Sequence, residues 1–174
     1  MQRVLLLGCG NTRQRIVRLP GEAEDYSDVE LVTVDMDPNC GADVVWDLDV
    51  RPLPFEDEEF DGIDTWDVLE HLGRQGDWRG YFSEFTEYWR ILKPGGVMRI
   101  LVPIGAEALC DPGHTRFFSF NHFHMLSQQW YADSLKAGKR VTDYRWCWHR
   151  DFTVLAKHQD GDHHIGAVLQ KHGA

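Results

Sequence analysis

The stretch that decides the fold is Val4-Leu5-Leu6-Leu7-Gly8-Cys9-Gly10-Asn11-Thr12-Arg13, a short apolar run that ends in two glycines one residue apart. A second apolar run, Leu31-Val32-Thr33-Val34, stops at the carboxylate of Asp35. Strand, glycine turn, connection, strand and acid are the parts of a nucleotide-binding α/β unit. The glycines let the backbone approach the ligand, and the acid accepts hydrogen bonds from ribose hydroxyls. The pattern leaves open which ligand the turn binds.

Length, net charge and cysteine content limit the kinds of protein that this chain can be. A chain of 174 residues predicts one domain, residues 1–174, that can bury a core without a disulfide or metal staple. The formal net charge of -10 argues against a polyanionic partner such as duplex DNA. One stretch, residues 136–150, is basic and is either a solvated edge or a substrate patch. Four cysteines without paired spacing predict reduced thiols in a cytoplasmic protein, and no apolar run is long enough to span a membrane.

Short apolar runs alternate with helical patterns along the chain. The predicted strands are Arg3 to Leu7, Glu30 to Val34, Ala42 to Asp47, Phe60 to Thr65 and Val97 to Val102, followed by a hairpin of residues 145–157 and 165–171. The predicted helices are Asn11 to Leu19, one opening at Asp67, one from Trp78 to Leu92, and one from the N-cap Ser119 to about Ala137. This order predicts an α/β fold: a doubly wound, mostly parallel seven-stranded sheet with an antiparallel edge strand.

The glycine turn is not a standard dinucleotide fingerprint. Such a fingerprint has a third glycine three residues after the second, and Arg13 occupies that position here. The substitution argues against a nicotinamide or flavin cofactor. The residues downstream must therefore identify the ligand.

Five segments in order resemble the class I S-adenosylmethionine-dependent methyltransferases, and the likeness covers nearly the whole chain. The segments are Leu7-Gly8-Cys9-Gly10-Asn11, Asp35, Asp47-Leu48 with Pro52-Leu53-Pro54-Phe55, Phe60-Asp61-Gly62-Ile63 with Val68-Leu69-Glu70-His71-Leu72, and Arg90-Ile91-Leu92-Lys93-Pro94-Gly95-Gly96. The chain looks most like a small bacterial and phage branch that also carries a motif of the form Asp111-Pro112-Gly113-His114-Thr115-Arg116-Phe117-Phe118. A phage-encoded member would act in the host cytoplasm.

The resemblance implies a Rossmann-like methyltransferase fold with S-adenosyl-L-methionine as cofactor and S-adenosyl-L-homocysteine as product. It implies that the turn backbone faces the methionine half, that Asp35 accepts the ribose hydroxyls, and that Asp47 takes the adenine amino group. The cofactor-binding residues implied are Gly8, Cys9, Gly10, Asn11, Asp35, Met36, Asp47, Leu48, Thr65 and Trp66. One position departs from the family, because Leu6 stands where an acid or amide is usual. Either cofactor affinity is lower, or Asn11 replaces the missing contact.

Methyl transfer from a sulfonium mainly requires alignment, and a base is needed only where the acceptor keeps its proton. The candidate base is His114, with Asp111 to orient it, in the irregular stretch after the fifth strand. The alternative is a histidine that only holds its loop. His71 is expected to cap or pack near the cofactor, and no metal site is predicted, since His122 and His124 point to different sides of a helix.

The acceptor is predicted to be a small, sugar-like molecule rather than nucleic acid. The motif of amino-directed DNA methyltransferases is absent, since Asp64-Thr65-Trp66-Asp67 stands in its place, and no cysteine follows a proline as in cytosine-C5 enzymes. The acceptor pocket is closed either by residues 103–118 or by the second subunit of a homodimer. The rival interpretations are a catalytically inactive binding module of the same fold, a nucleic-acid methyltransferase, and a nicotinamide-dependent enzyme.

Overall fold

The apolar runs form one mixed sheet in the computed structural model, which describes residues 1–16, 18–20 and 28–173. Its strands are β1 (Gln2–Leu7), β2 (Val29–Asp35), β3 (Val44–Val45), β4 (Phe60–Trp66), β5 (Leu92–Pro103), β6 (Phe152–Asp160) and β7 (His164–Lys171). The strand order is β3-β2-β1-β4-β5-β7-β6. The first five strands run parallel, and the hairpin β6–β7 pairs antiparallel with β5. The predicted α/β fold class, with seven strands and an antiparallel edge region, is confirmed.

Alternation along β1 divides the apolar residues between the two faces of the sheet. Leu5 and Leu7 are fully buried in the larger core, which packs beneath the helices. Leu6 joins a smaller cluster on the opposite face with Trp66 and Leu101. The strands are therefore apolar on both sides, as parallel strands usually are.

The main helix is the one predicted from Trp78 to Leu92, where an apolar stripe recurs at spacings of three and four residues: Trp78, Phe82, Phe85, Trp89 and Leu92. α1 (Trp78–Ile91) begins at Asp77, whose side chain accepts a hydrogen bond from the backbone of Gly80 at 3.0 Å. Phe82 and Phe85 face the core, as the spacing requires. The helix ends directly at Leu92, because β5 starts there and includes the glycines that the sequence suggests as a loop.

The other helices are shorter than predicted. They are a 3₁₀ turn (Leu69–His71), α2 (Glu107–Cys110), α3 (Phe120–His124) and α4 (Gln128–Lys136). The single helix predicted from Ser119 to about Ala137 is two helices, because Ser127 caps a new one and the carbonyl of Leu126 bonds instead to Phe152 and Trp148. The predicted helix from Asn11 to Leu19 does not form in its described residues, where Ile16 is 41% exposed and supplies no buried stripe.

The ends of β1, β2, β4 and β5 meet at one edge of the sheet, where open α/β folds bind ligands. The glycine turn follows β1, Asp35 ends β2, the 3₁₀ turn follows β4, and the segment with His114 follows β5. None of the described helices is both long and apolar enough to cross a bilayer.

Candidate functional site

The glycine turn takes a shape that only glycine adopts easily. Gly8 and Gly10 have φ values of 58° and 49°. A Cβ on Gly8 would lie 2.5 Å from Val68 Cγ2, so the turn packs tightly against the segment that follows β4. A Cβ on Gly10 would meet no atom of the described residues within 4 Å, so among them the surface above Gly10 is open to a ligand.

Asp35 holds the turn and keeps capacity for a ligand. Its Oδ2 accepts a hydrogen bond from the backbone of Gly10 at 2.8 Å, and its Oδ1 accepts one from Asp37 at 3.0 Å. A carboxylate has about four lone-pair positions, so both oxygens retain one for a ribose hydroxyl. The Asp35 carboxylate therefore lies at the end of β2 with capacity for the predicted hydrogen bonds from ribose.

The structure explains how the turn is held without a polar residue at position 6. Leu6 is 3% exposed and packs with Cys9, Trp66 and Leu101. The contact to the turn backbone comes instead from Asp35, on the neighbouring strand. Asn11, the other candidate for that contact, is exposed.

Arg13 ties the turn to the loop after β2. Its guanidinium donates hydrogen bonds to the carbonyl of Gly10 at 2.9 Å and to the carbonyl of Cys40. It also lies 3.3 Å from Cys9 Sγ. Burial raises the pKa of the Cys9 thiol, and the nearby positive charge of Arg13 opposes that shift. Arg13 therefore replaces the third glycine with a side chain that links the turn to the loop after β2.

Three more of the residues predicted to bind the cofactor lie on loops after β2 and β3. Met36 is 69% exposed, directly after Asp35. Asp47 is exposed, and its Oδ1 accepts a hydrogen bond from the backbone of Asp49 at 2.9 Å, which leaves its other oxygen available. The side chain of Leu48 is buried, so only its backbone can contact a ligand at this loop.

Thr65 and Trp66 lie deeper than predicted. Both belong to β4, with 0% and 8% exposure, rather than to the mouth beyond the strand. Among the described residues, Thr65 Oγ1 and Trp66 Nε1 are buried without a hydrogen-bond partner. The first residue past the strand is Asp67, with a φ of 57°. Asp67, which is half-buried, is therefore the first side chain after β4 that solvent reaches.

His114 lies beside two residues of the 3₁₀ turn. Its Nδ1 is 3.0 Å from the carbonyl of Ala108, and since a carbonyl only accepts, this nitrogen carries the proton. Its Nε2 then presents a lone pair, 3.9 Å from Glu70 Oε1. The His71 ring packs edge-on against His114, with 4.6 Å between ring centroids. The fold thus brings together a histidine and a carboxyl group that are far apart in sequence.

The predicted role of Asp111 is corrected by this geometry. Its Oδ1 accepts a hydrogen bond from the backbone of Gly113 at 2.6 Å, and its carbonyl accepts one from His114 at 3.1 Å. Asp111 therefore shapes the turn that presents His114, while Ala108 orients the ring. An Asp-Pro-Gly sequence favours this turn, because the short carboxylate bonds to its own backbone.

Glu70 is the functional candidate that sequence reasoning passed over. It is 1% exposed, and neither carboxylate oxygen has a hydrogen-bond partner among the described residues. Burial is the largest cause that raises its pKa, to about 8. Its backbone carbonyl accepts hydrogen bonds from Thr115 at 2.9 Å and Arg116 at 3.1 Å. These bonds fix Glu70 to the segment that carries His114.

A buried ion pair also links the 3₁₀ turn to the segment that carries His114. Arg116 donates to both carboxylate oxygens of Glu84 at 2.8 and 3.0 Å, and to the carbonyl of Leu69 at 2.8 Å. Arg116 and Glu84 are 4% and 1% exposed. Glu84 lies off the apolar stripe of α1, where the sequence indicates a solvent-facing residue. Its burial depends on Arg116, which no local pattern reveals.

A separate aromatic cavity of about 180 Å³ lies beside α1, lined in part by Trp78, Tyr81, Tyr144 and Arg116. Pockets for small-molecule ligands usually have volumes of about 300–1,000 Å³. This cavity is therefore smaller than a typical small-molecule pocket.

Comparison with known proteins agrees with this arrangement. Residues 5–100, more than half of the chain, match a family model described as a methyltransferase domain. No curated protein sequence matches the chain. The fold is similar to that of a protein from Pyrococcus horikoshii, with a TM-score of 0.57 and 17% identity over 98% of this chain and 82% of that one.

Two further solved structures, both described as SAM-dependent methyltransferases, have the same fold. The protein from Aquifex aeolicus has a TM-score of 0.56 and 12% identity over 98% of this chain and 82% of its own. The protein from Archaeoglobus fulgidus has a TM-score of 0.55 and 15% identity over 98% of this chain and 86% of its own.

Proposed function

The chain belongs to the methyltransferase domain family, and we propose that it methylates a small, sugar-like acceptor bound beside His114 and Glu70. S-adenosyl-L-methionine is the cofactor, and S-adenosyl-L-homocysteine is the product. The bound cofactor supplies an electrophilic methyl group on a sulfonium with a neutral leaving group. The chain must therefore hold the two reactants in line and accept a proton from the acceptor.

One observation carries the proposal: the free Nε2 of His114 lies at the sheet edge, in the segment that follows β5. Its position is fixed through Nδ1 by the carbonyl of Ala108, so the lone pair of Nε2 has a constant direction. The glycine turn packs on Val68, which lies two residues before Glu70. The glycine turn is therefore next to the segment that carries Glu70. A proton leaving an acceptor hydroxyl can therefore pass to Nε2 while the oxygen attacks the methyl group.

The burial of the candidate residues and the charge of the chain favour a small acceptor. The side chains of His114 and Glu70 are 10% and 1% exposed, so they are less accessible to a large polymer than to a small molecule. The net charge of -10 disfavours nucleic acid. In the basic stretch, Arg145 pairs with Asp143 at 2.7 Å, so part of that charge is neutralised within the chain.

Transfer of label from S-adenosyl-L-[methyl-³H]methionine tests the proposal. The purified protein is incubated with separate panels of monosaccharides and nucleotide sugars, duplex DNA, RNA and unfolded protein. We expect label in a small molecule of the first panel and formation of S-adenosyl-L-homocysteine only in its presence. Label in nucleic acid or protein alone would contradict the proposal.

A variant pair separates the base from the scaffold. His114→Asn should reduce kcat by about 10²–10⁴-fold and leave the affinity for S-adenosyl-L-homocysteine unchanged, because His114 acts on the acceptor. His163→Asn is the matched control, since His163 has a 65% exposed side chain. If the protein binds no S-adenosyl-L-homocysteine by isothermal titration, the alternative of a binding module for another protein replaces the enzymatic proposal.

A further inference from the structure

Three side chains at the sheet edge converge in a way that methyl transfer alone does not require. One ligand atom from each of Glu70, His71 and His114 lies within 4.8 Å of the others. Glu70 and His71 come from the 3₁₀ turn after β4, and His114 comes from the segment after β5. Two imidazoles and one carboxylate are a donor set that zinc takes in catalytic sites.

Glu70 presents a buried carboxyl group to which no described residue donates a hydrogen bond. Its carboxylate is 1% exposed and unpartnered among the described residues. A buried polar group without a partner is unusual and costs free energy. The guanidinium of Arg116 does not fill the role, because its terminal nitrogens donate to Glu84 and to the carbonyl of Leu69.

His114 has the geometry of a metal-ligating histidine. Its Nδ1 donates to the carbonyl of Ala108, the outer contact that usually fixes such a ring, and Nε2 is left to ligate. The distance of 3.9 Å from Nε2 to Glu70 Oε1 is too long for a hydrogen bond. Two ligand atoms on a tetrahedral zinc, each at roughly 2.1 Å, lie about 3.4 Å apart. A small closure would therefore bring both atoms onto one ion.

His71 completes the set and leaves the site accessible. Its ring packs against His114, and its Nδ1 lies 3.1 Å from where a Cβ on residue 113 would stand, so Gly113 leaves the space that the ring occupies. His71 is exposed, which gives an ion a route from solvent. A second group of ligand types, Cys9, Asp35 and Cys40, is less suitable, because the guanidinium of Arg13 lies 3.3 Å from Cys9 Sγ.

We propose that Glu70, His71 and His114 bind one divalent transition-metal ion, zinc in the first instance, with a fourth position open to water. Binding of the ion does not depend on methyl transfer. If methyl transfer at this site is also correct, the open position would take the acceptor oxygen, lower its pKa and let its proton leave to solvent, so His114 would serve as the base only in the metal-free protein.

Isothermal titration of tag-free, chelator-treated protein with zinc chloride alone tests the site, and magnesium chloride serves as the hard-cation comparison. We expect saturable binding of zinc, and visible absorption from cobalt(II) that indicates tetrahedral coordination. Glu70→Gln, His71→Gln and His114→Gln should each weaken zinc binding by more than the roughly 10–100-fold that loss of an outer contact costs. His163→Gln should bind as the wild type does.

The contrary results are equally specific. The proposal fails if folded wild-type protein binds no zinc, or if binding survives all three ligand substitutions. It also fails if Cys40→Ser abolishes binding, since the ion would then lie at the cysteine group. Thermal unfolding of each variant shows whether it is folded. Titration of the same samples with S-adenosyl-L-homocysteine keeps the outcomes apart, because cofactor binding without zinc binding contradicts only the metal site.

Discussion

The buried ion pair between Arg116 and Glu84 makes the strongest prediction about stability. Arg116→Met removes the guanidinium and leaves the carboxylate of Glu84 at 1% exposure without its main partner. Breaking a buried pair from one side typically costs about 3–5 kcal/mol. Arg51 at 3.5 Å and the hydroxyl of Tyr88 at 3.2 Å remain near Glu84, so we expect the lower end, about 3 kcal/mol.

Urea unfolding followed by tryptophan fluorescence measures this loss, and thermal unfolding should show a midpoint lower by about 6–12 °C. The double variant Arg116→Met with Glu84→Leu removes both charges. It should recover most of the loss and stay within about 1–2 kcal/mol of wild type, because the hydrogen bond to Leu69 is still missing. Arg140→Met changes an exposed arginine and should alter stability by no more than about 0.5 kcal/mol.

Two results would refute this reasoning. One is a cost below about 1 kcal/mol for Arg116→Met, which would mean that Glu84 is solvated or paired elsewhere. The other is a double variant at least as unstable as the single one. In that case the loss would come from the packing of Arg116 and not from an unpaired buried charge.

Three further substitutions test the turn, the ribose contact and a helix cap. Asp35→Ala should weaken binding of S-adenosyl-L-homocysteine at least about tenfold in isothermal titration, because the ribose hydroxyls lose a charged acceptor. Gly8→Ala should destabilise the protein by about 2–4 kcal/mol in urea, since its φ is 58° and the added Cβ would lie 2.5 Å from Val68. Burial lowers the pKa of His122, whose Nδ1 accepts from Ser119 at 3.0 Å. As the pH falls, His122 is therefore protonated in the unfolded chain before it is protonated in the folded chain. The contribution of neutral His122 to the free energy of unfolding is complete above about pH 6.5 and is lost as the pH falls below that value. His122→Gln should show a smaller drop in thermal midpoint between about pH 7.5 and 5.5 than wild type.

Each of these has a clear contrary outcome. Unchanged affinity in Asp35→Ala would remove Asp35 from the site, and Asp37→Ala is the neighbouring control. A cost below about 1 kcal/mol for Gly8→Ala would show that the turn and Val68 adjust freely. A full wild-type drop in His122→Gln would assign the acid sensitivity to other groups, with His163→Gln as the exposed-histidine control.

The sheet could be predicted from the sequence because its strands are local patterns. The apolar runs that end at Leu7 and Asp35 predict buried strands from their own residues alone. α1 is equally local, since its stripe repeats over the whole helix. The break at Ser127 was not predictable, because it depends on Trp148 and Phe152 bonding to the carbonyl of Leu126.

The residues of the candidate site also differ in whether local sequence or contacts between distant segments position them. Asp35 ends its strand, and that position makes it a candidate for the ribose contact without the structure. The local sequence places Glu70 at the start of a helix. Its burial in the site depends on backbone contacts with Thr115 and Arg116, which are distant in sequence. The orientation of His114 by Ala108 rather than Asp111 depends on the turn that the chain makes between them. Contacts between distant segments carry no periodic signal, so these features required the structure.

An adenosyl cofactor is expected to lie across the ends of β1 and β2, with its ribose on Asp35. A crystal structure of the protein with S-adenosyl-L-homocysteine would show this arrangement. We expect both ribose hydroxyls on the Asp35 carboxylate and the homocysteine chain over the open surface above Gly10. An empty groove spanned by Arg13, at a ligand concentration that saturates related methyltransferases, would contradict it.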